Sequence, residues 1–185
     1  MKTRHSSFAI AALMVALPAC GDDPFAIEWS ANPDTVQLYA LSRPEPNLLS
    51  AFDFYNRIPK RLEAVTTGNL WDLVADVQDG KFVWLPPGSL GISSDAAVAT
   101  LEGETFESAA RAPSDTARYV KDDPVPVQPD RIYVIRTRRL QGGFSTCNYY
   151  GKIEALEVDP VGGTIRFQFD VNRICNDLAL IPPDS

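Results

Sequence analysis

The sequence predicts an all-β domain, built as an immunoglobulin-like sandwich or a related antiparallel barrel, with at most one short helix. Short apolar segments recur at intervals of about ten residues, separated by Gly, Pro, Asn and Asp. Two pairs of these segments flank compact turns, and folding each pair back on itself brings its apolar side chains to one face. The pattern supports the sandwich class without the Cys–Trp–Cys signature of true immunoglobulin domains.

The chain opens with a basic segment, residues 1–5, followed by an apolar run of 12 residues from Phe8 to Ala19. A membrane-spanning helix needs about 20 residues, so this run is too short to span and is typical of a secretory signal. It ends in Leu-Pro-Ala-Cys-Gly at residues 17–21, which resembles the lipobox of bacterial lipoproteins. The resemblance implies that residues 1–19 are a signal peptide and that Cys20 is acylated and becomes the mature N-terminus. The alternative is an ordinary secreted protein in which Cys20 is incidental.

By that resemblance, residues 20–24 are a short acylated tether, and residues 25–185 form a single domain close to the membrane. Several acyl chains on one cysteine anchor a protein stably, whereas a single chain binds marginally. Gly21, rather than Asp, follows Cys20, which by the sorting rule of enteric lipoproteins favours the outer membrane. The compartment beyond the inner membrane is oxidising, so it permits disulfides.

The first strands are predicted from alternating apolar residues. They cover residues 25–29, 35–41, 51–55 and 60–65. A hairpin follows around Asp79 and Gly80, because Asp-Gly is the strongest two-residue turn signal. Its opposed pairs are Gln78–Lys81, Val77–Phe82 and Ala75–Trp84. One face of the hairpin then receives Trp71, Leu73, Ala75 and Val77. Asp72 and Asp76 fall on the opposite face, which is predicted to meet solvent.

The middle of the chain has weaker patterns. Residues 95–101 have the composition of a short helix. Strands are predicted at 105–111, at 116–120 and, as one long element, at 131–140. Residues 122–127 include two prolines, which cannot donate to a β-ladder, so this segment is predicted to be an edge strand or an extended loop.

A Pro- and Gly-rich turn at 159–163 joins the last two predicted strands. These strands cover residues 149–158 and 164–171. Pairing Val158 with Thr164 and extending the register outward sets Cys147 opposite Cys175, which predicts a disulfide. The face of the two cysteines also receives Tyr149, Ile153, Ala155, Ile165, Phe167, Phe169 and Val171. The other face is predicted to be polar, with Lys152, Glu154, Arg166, Gln168, Asp170 and Asn172.

Charge and histidine content exclude several classes of function. The chain carries 17 Lys and Arg against 24 Asp and Glu, a formal charge of −7. Removal of Lys2 and Arg4 with the signal leaves a charge of about −9, which argues against nucleic acid as a partner. The single histidine, His5, lies in the predicted signal. A mature chain without imidazole excludes Ser-His-Asp and Cys-His catalysis and His-ligated metals. No cofactor and no metal site is predicted.

The sequence therefore predicts a non-catalytic cell-envelope lipoprotein that acts as a binding or structural module. Its predicted partners are the membrane, through the lipid anchor, and another envelope protein or a glycan. One alternative is a carbohydrate- or peptidoglycan-binding module. Its aromatic platform would consist of Trp29, Trp71, Trp84, Tyr39 and Tyr55. The other alternative is a carboxylate-dependent hydrolase. Its acid–base pair would be Asp76 with Asp79, or Asp53 with Asp170.

Basic residues are concentrated near the last two hairpin strands, although the chain as a whole is acidic. Arg136, Arg138 and Arg139 lie within one short segment, with Lys152 and Arg166 on the adjoining hairpin. The favoured interpretation is that they neutralise carboxylates across the sheet. Those carboxylates would be Glu154, Glu157 and Asp170. The second hypothesis is that they form a basic surface that turns toward anionic lipid headgroups.

Overall fold

The computed structural model describes residues 29–62, 70–142 and 145–183. Cys20, the predicted signal and tether, and the start of the first predicted strand lie outside these residues and stay predictions. Across the described residues, no helix is long and apolar enough to cross a membrane.

All regular structure in the described residues is β-strand or short 3-10 helix, which confirms the predicted all-β class. The strands in chain order are β1 (Asp34–Tyr39), β2 (Ala51–Asp53), β3 (Ile58–Lys60), β4 (Leu73–Gln78), β5 (Lys81–Leu85), β6 (Ala97–Leu101), β7 (Val125–Pro126), β8 (Ile132–Arg136), β9 (Leu140–Gly142), β10 (Ser145–Cys147), β11 (Tyr150–Asp159) and β12 (Thr164–Asn172). The 3-10 helices are Pro87–Leu90 and Thr116–Arg118.

The strands form two antiparallel five-stranded sheets and one small two-stranded sheet. The first sheet has the order β1-β12-β11-β8-β6, the second has the order β3-β2-β4-β5-β7, and β9 pairs with β10. The two large sheets pack face to face around one core. Phe167 of the first sheet meets Phe52 and Trp84 of the second, with ring centroids 5.7 and 5.3 Å apart. The architecture is therefore a sandwich with open sheet edges.

The hairpin of β4 and β5 has the predicted turn and the predicted pairs. Asp79 and Gly80 both adopt positive φ, as a two-residue turn of this kind requires. Side chains that face the sandwich core include Leu73, Ala75, Phe82 and Trp84. Trp71 does not share their face, because it precedes the strand and packs against Val74 and Leu85 on the outer side of the second sheet. The alternation rule therefore holds only where the chain is a strand.

β11 and β12 have the predicted register over most of their length, but not at the turn. Near the turn each pair is displaced by one residue, so that Val158 faces Ile165. A β-bulge between Ala155 and Glu157 shifts the register by one residue, and beyond it the pairs are those predicted. They include Lys152 with Asp170. The apolar face of this hairpin lies in the core as predicted.

A disulfide joins Cys147 of β10 to Cys175, with the two Cα atoms 5.1 Å apart. This is the predicted pair. Next to it, the Asn176 backbone N–H donates to the Asn148 carbonyl, and the Asn148 backbone N–H donates to the Asn176 side chain. These contacts hold the segment after β12 against the start of β11.

The polar faces that were predicted to meet solvent are largely covered. Buried polar residues on them are Asp72, Asp76, Lys152, Asp170 and Asn172. On the first sheet, segments 105–112 and 178–180 form the cover. Their backbones are joined by hydrogen bonds from Ala112 N–H to the Leu178 carbonyl and from Leu180 N–H to the Ala110 carbonyl. Each sheet is thus at least partly buried on both of its faces. The alternation of apolar and polar residues along a strand does not reveal burial of the polar face.

The predicted helix at 95–101 is wrong, since Ala97–Leu101 is strand β6, paired with β8. Val98 faces the sandwich core, whereas Ala97 and Ala99 face a second apolar cluster outside the sheet. A strand packed on both sides needs small side chains, and burial overrides the helix preference of alanine.

The neighbouring segments also differ from the prediction. Residues 105–111 form a turn closed by Thr105 and Ser108 rather than a strand. In 116–120, the 3-10 helix precedes an isolated bridge between Val120 and Val98. The predicted edge strand is present as β7 at the rim of the second sheet. The long predicted strand at 131–140 stops at the end of β8, where the chain leaves the sheet to place Arg138.

Candidate functional site

A buried ion cluster connects the two sheets just after β8. The Arg138 guanidinium donates from Nη1 to Asp72 Oδ1 at 3.0 Å and from Nη2 to Asp53 Oδ2 at 3.1 Å. Asp72 also accepts from the backbone N–H groups of Arg138 at 2.8 Å and Phe54 at 2.9 Å. Asn56 donates to Asp53 from its backbone and its side chain. Every charged group of the cluster therefore has partners, as buried charges require.

Burial raises the pKa of Asp72 to about 6, although Arg138 acts in the opposite direction. Asp72 is only 1% exposed, so its carboxylate has no access to bulk water. An aspartate in an unfolded chain titrates near pH 4. The folded state therefore binds this proton more tightly than the unfolded state, and Asp72 stabilises the fold more at acidic than at neutral pH.

Lowering the pH from 7 to 5 is expected to add on the order of 1 kcal/mol to the free energy of unfolding through Asp72. This contribution is complete below about pH 4 and is lost as the pH rises through about 6. Asp72→Asn removes it, so the variant should show less stabilisation on acidification than the unmodified protein. Denaturant unfolding at several pH values measures the difference. Asp123→Asn, at an exposed site, is the matched control, and equal pH slopes for Asp72→Asn and the unmodified protein would contradict the assignment.

An open cleft of about 510 Å³ lies beside this cluster. Arg138, Arg139 and Lys121 contribute the cationic part of its lining, and Asp95 contributes one carboxylate. Asp95 Oδ2 lies 2.8 Å from Arg139 Nε, and its Oδ1 lies 3.8 Å from Lys121 Nζ. The remaining lining residues are Ser93, Ser94, Leu70 and Leu140. The lining of the cleft thus combines charged residues and two serines with two leucines.

The backbone around the cleft is held by several local contacts. Arg136 donates from Nε to the Asp95 carbonyl at 2.9 Å, and its guanidinium lies 5.0 Å from the centroid of the Tyr119 ring. Next to Lys121, a Cβ at Gly88 would lie 2.5 Å from the Lys121 carbonyl oxygen. Glycine is therefore required for the 86–92 segment to approach Lys121 this closely.

The predicted basic surface is wrong, because its members do not lie on one exposed face. Lys152, Arg136 and Arg138 are buried. Arg166 pairs with Glu157 on the first sheet, and Arg139 pairs with Asp95 in the cleft. Neutralisation by a carboxylate across the sheet describes Arg166, whereas the partner of Arg139 is Asp95, which is not one of the three carboxylates considered. The structure brings only Arg138 and Arg139 of the five into one site.

Lys152 lies at a second, smaller cavity of about 250 Å³. Its Nζ donates to the carbonyls of Phe106 and Ala109 and lies 4.7 Å from the centroid of the Phe106 ring. Burial lowers the pKa of this amine, while Asp170 and Glu107 act in the opposite direction. Lys152 thus belongs to the covered face of the first sheet and does not contribute to an exposed basic surface.

The aromatic platform predicted for a sugar ligand does not form. Trp71 is 1% exposed and Trp84 is fully buried, in two different apolar clusters. Tyr55 packs against Tyr149, with ring centroids 4.5 Å apart and the two rings tilted by 36°. A carbohydrate module would be favoured by exposed indoles that lie side by side. The described residues contain no such pair.

The carboxylates proposed as acid–base pairs belong to separate hydrogen-bond networks. Asp53 binds Arg138, whereas Asp170 accepts from Asn32 N–H at 3.1 Å and lies 3.5 Å from Arg57. Asp76 accepts from the backbone of the loop after β1, and Asp79 forms the β4–β5 turn. Within residues 29–62, 70–142 and 145–183, no group of three or more His, Cys, Asp or Glu residues is placed to hold a metal ion.

No family model matches this chain, and no curated protein does either. A function for the chain must therefore be argued from its own residues.

The buried ion cluster joins distant parts of the sequence. Arg138 lies 85 positions from Asp53 and 66 positions from Asp72. The one local signal for the cluster is that Asp53 and Asp72 each lie within a strongly apolar segment, where an unpaired charge would be costly.

Proposed function

We propose that this chain is a non-catalytic, lipid-anchored protein of the bacterial cell envelope that binds a ligand in the cleft beside Arg138. The observation that carries the anchoring is the lipobox-like sequence at residues 17–21, which follows a short secretory signal. The Cys147–Cys175 disulfide is compatible with the oxidising compartment that such a signal implies.

Support for binding, rather than a purely structural role, comes from the cleft. A ligand site needs polar groups that are held in place before the ligand arrives. Arg138 meets this condition because two ion pairs, with Asp53 and Asp72, fix its guanidinium. The two alternative functions lose their specific support, since the aromatic platform does not form and the carboxylate pairs are separated.

Cys20→Ser is expected to abolish fatty-acid labelling of the protein and to release it from the membrane fraction. Serine has no thiol to carry the acyl chain, and the tether offers no other anchor. Metabolic labelling with a palmitate analogue, followed by fractionation, measures both effects in the source bacterium.

Pro18→Ala is the matched control, because it changes the neighbouring segment but leaves Cys20 in place. This variant should stay labelled and membrane-bound. Undiminished labelling of Cys20→Ser would refute the anchoring proposal, whatever the cleft binds.

A further inference from the structure

We propose that the cleft binds a small amphiphilic oxyanion, a carboxylate or phosphate group with a short apolar substituent. This proposal deepens the proposed function and rests on it. With Arg138 neutralised by Asp53 and Asp72, the lining of the cleft retains two exposed cations, Arg139 and Lys121, against one carboxylate, Asp95. In a chain whose formal charge is −7, these two cations attract anions to this site.

The binding geometry is indicated by the carboxylate that the protein itself places there. Asp95 lies between Arg139 and Lys121, so these two side chains already accommodate one oxyanion. The Arg139 side chain remains 60% exposed and that of Lys121 remains 39% exposed. Each of these two cations therefore has an exposed part that a second oxyanion can contact. That oxyanion would bind alongside Asp95 or take its place.

The third cation differs from these two. Arg138 is neutralised by Asp53 and Asp72, whose oxygens also accept hydrogen bonds from the N–H groups of Phe54 and Asn56. Its side chain is only 10% exposed, so it forms part of the wall of the cleft and adds no excess charge. We therefore assign the electrostatic selection of the ligand to Arg139 and Lys121.

The apolar part of the ligand follows from the other lining residues. Two leucines line the cleft, Leu70, which is 52% exposed, and Leu140. A ligand that covers these side chains removes apolar surface from water, which a simple inorganic anion cannot do. An alkyl phosphate should therefore bind more tightly than inorganic phosphate.

The test is isothermal titration calorimetry on the purified full-length chain in neutral detergent at low salt. The probes are inorganic phosphate, hexyl phosphate and, as the oppositely charged analogue, hexyltrimethylammonium. We expect hexyl phosphate to bind with a dissociation constant of about 1 mM or below, more tightly than phosphate, and the cation not to bind. No heat from hexyl phosphate at about 20 mM would overturn the proposal.

Two cleft variants should move the affinity in opposite directions. Arg139→Gln is expected to weaken hexyl phosphate binding by about threefold to fivefold, as for loss of one exposed ion pair. Asp95→Asn is expected to tighten binding by a similar factor of about three, because it removes the competing carboxylate. Damage to the fold can weaken binding but cannot tighten it. Asp95→Asn therefore tests the site even if the weaker binding of Arg139→Gln were caused by misfolding.

Arg166→Gln is the matched control, since it removes one exposed, ion-paired arginine elsewhere and changes the net charge equally. It should leave the affinity unchanged. If Arg139→Gln and Arg166→Gln weaken binding alike, or if Asp95→Asn weakens it, the cleft is not the site. These measurements use isolated protein and do not depend on acylation, so their failure is separate from any failure of the Cys20 experiment.

Discussion

Replacement of Arg138 by methionine is expected to lower the free energy of unfolding by about 3–5 kcal/mol at pH 7. Methionine keeps much of the apolar volume but leaves Asp53 and Asp72 buried without their cation. Neither carboxylate can be rehydrated in place, because each is 1% exposed. Domains of this kind have about 5–15 kcal/mol of stability in total, so urea unfolding should detect the change easily.

The pH and the partner residues provide the controls for this prediction. The deficit of Arg138→Met should shrink at pH 5, because Asp72 then takes up a proton and its uncompensated charge disappears. Adding Asp53→Asn and Asp72→Asn should recover much of the loss, since no buried charge is then left unpaired. Arg166→Met removes an arginine whose ion pair lies in solvent and should have a much smaller effect. Equal losses for the two arginine variants would refute the assigned role of the buried cluster.

Removal of the disulfide is expected to cost about 3–4 kcal/mol, because the bond closes a loop with a sequence separation of 28 residues. For a domain of this size that corresponds to a fall in Tm of about 10 °C. Cys175→Ala is the preferred substitution, since Cys175 is exposed whereas Cys147 lies in the core. Calorimetry of the oxidised protein and the variant measures the change.

A reducing agent supplies the control for the disulfide. It should lower the Tm of the unmodified protein to about that of Cys175→Ala and leave the variant unaffected. Thiol titration of denatured, unreduced protein from the envelope should find neither Cys147 nor Cys175 reactive. Two free thiols in that sample would show that the bond does not form in the cell.

The sequence predicted those parts of the fold that depend on neighbouring residues. Asp79 and Gly80 determine the β4–β5 turn, and every pair of that hairpin follows from it. The Cys147–Cys175 pair was also predicted, but from a turn pairing that the structure does not have. Two one-residue displacements, at the turn and at the bulge after Ala155, cancel. A bulge in a strand interior has no local signal as strong as an Asp-Gly turn.

The sequence did not predict the candidate site. Arg138 was placed on an exposed basic surface and Asp72 on a solvent face, but they bind each other inside the protein. Alternation shows that a strand has two faces, and one of them is apolar. It does not show what covers the second face.

By itself, then, the sequence determined the all-β class and the β4–β5 hairpin, because each follows from side-chain alternation and turn residues within one short stretch. It also predicted the cysteine pair and the register of β11 with β12 away from the turn, where the two one-residue displacements cancel. Only the tertiary structure decided which charges are buried. Lys152 became a buried amine because the 105–112 segment crosses over it, and Arg138 became part of an ion cluster because the second sheet brings Asp53 and Asp72 to it. Such covering depends on contacts between distant segments, and the cost of burying a charge is set by the partners that those contacts provide.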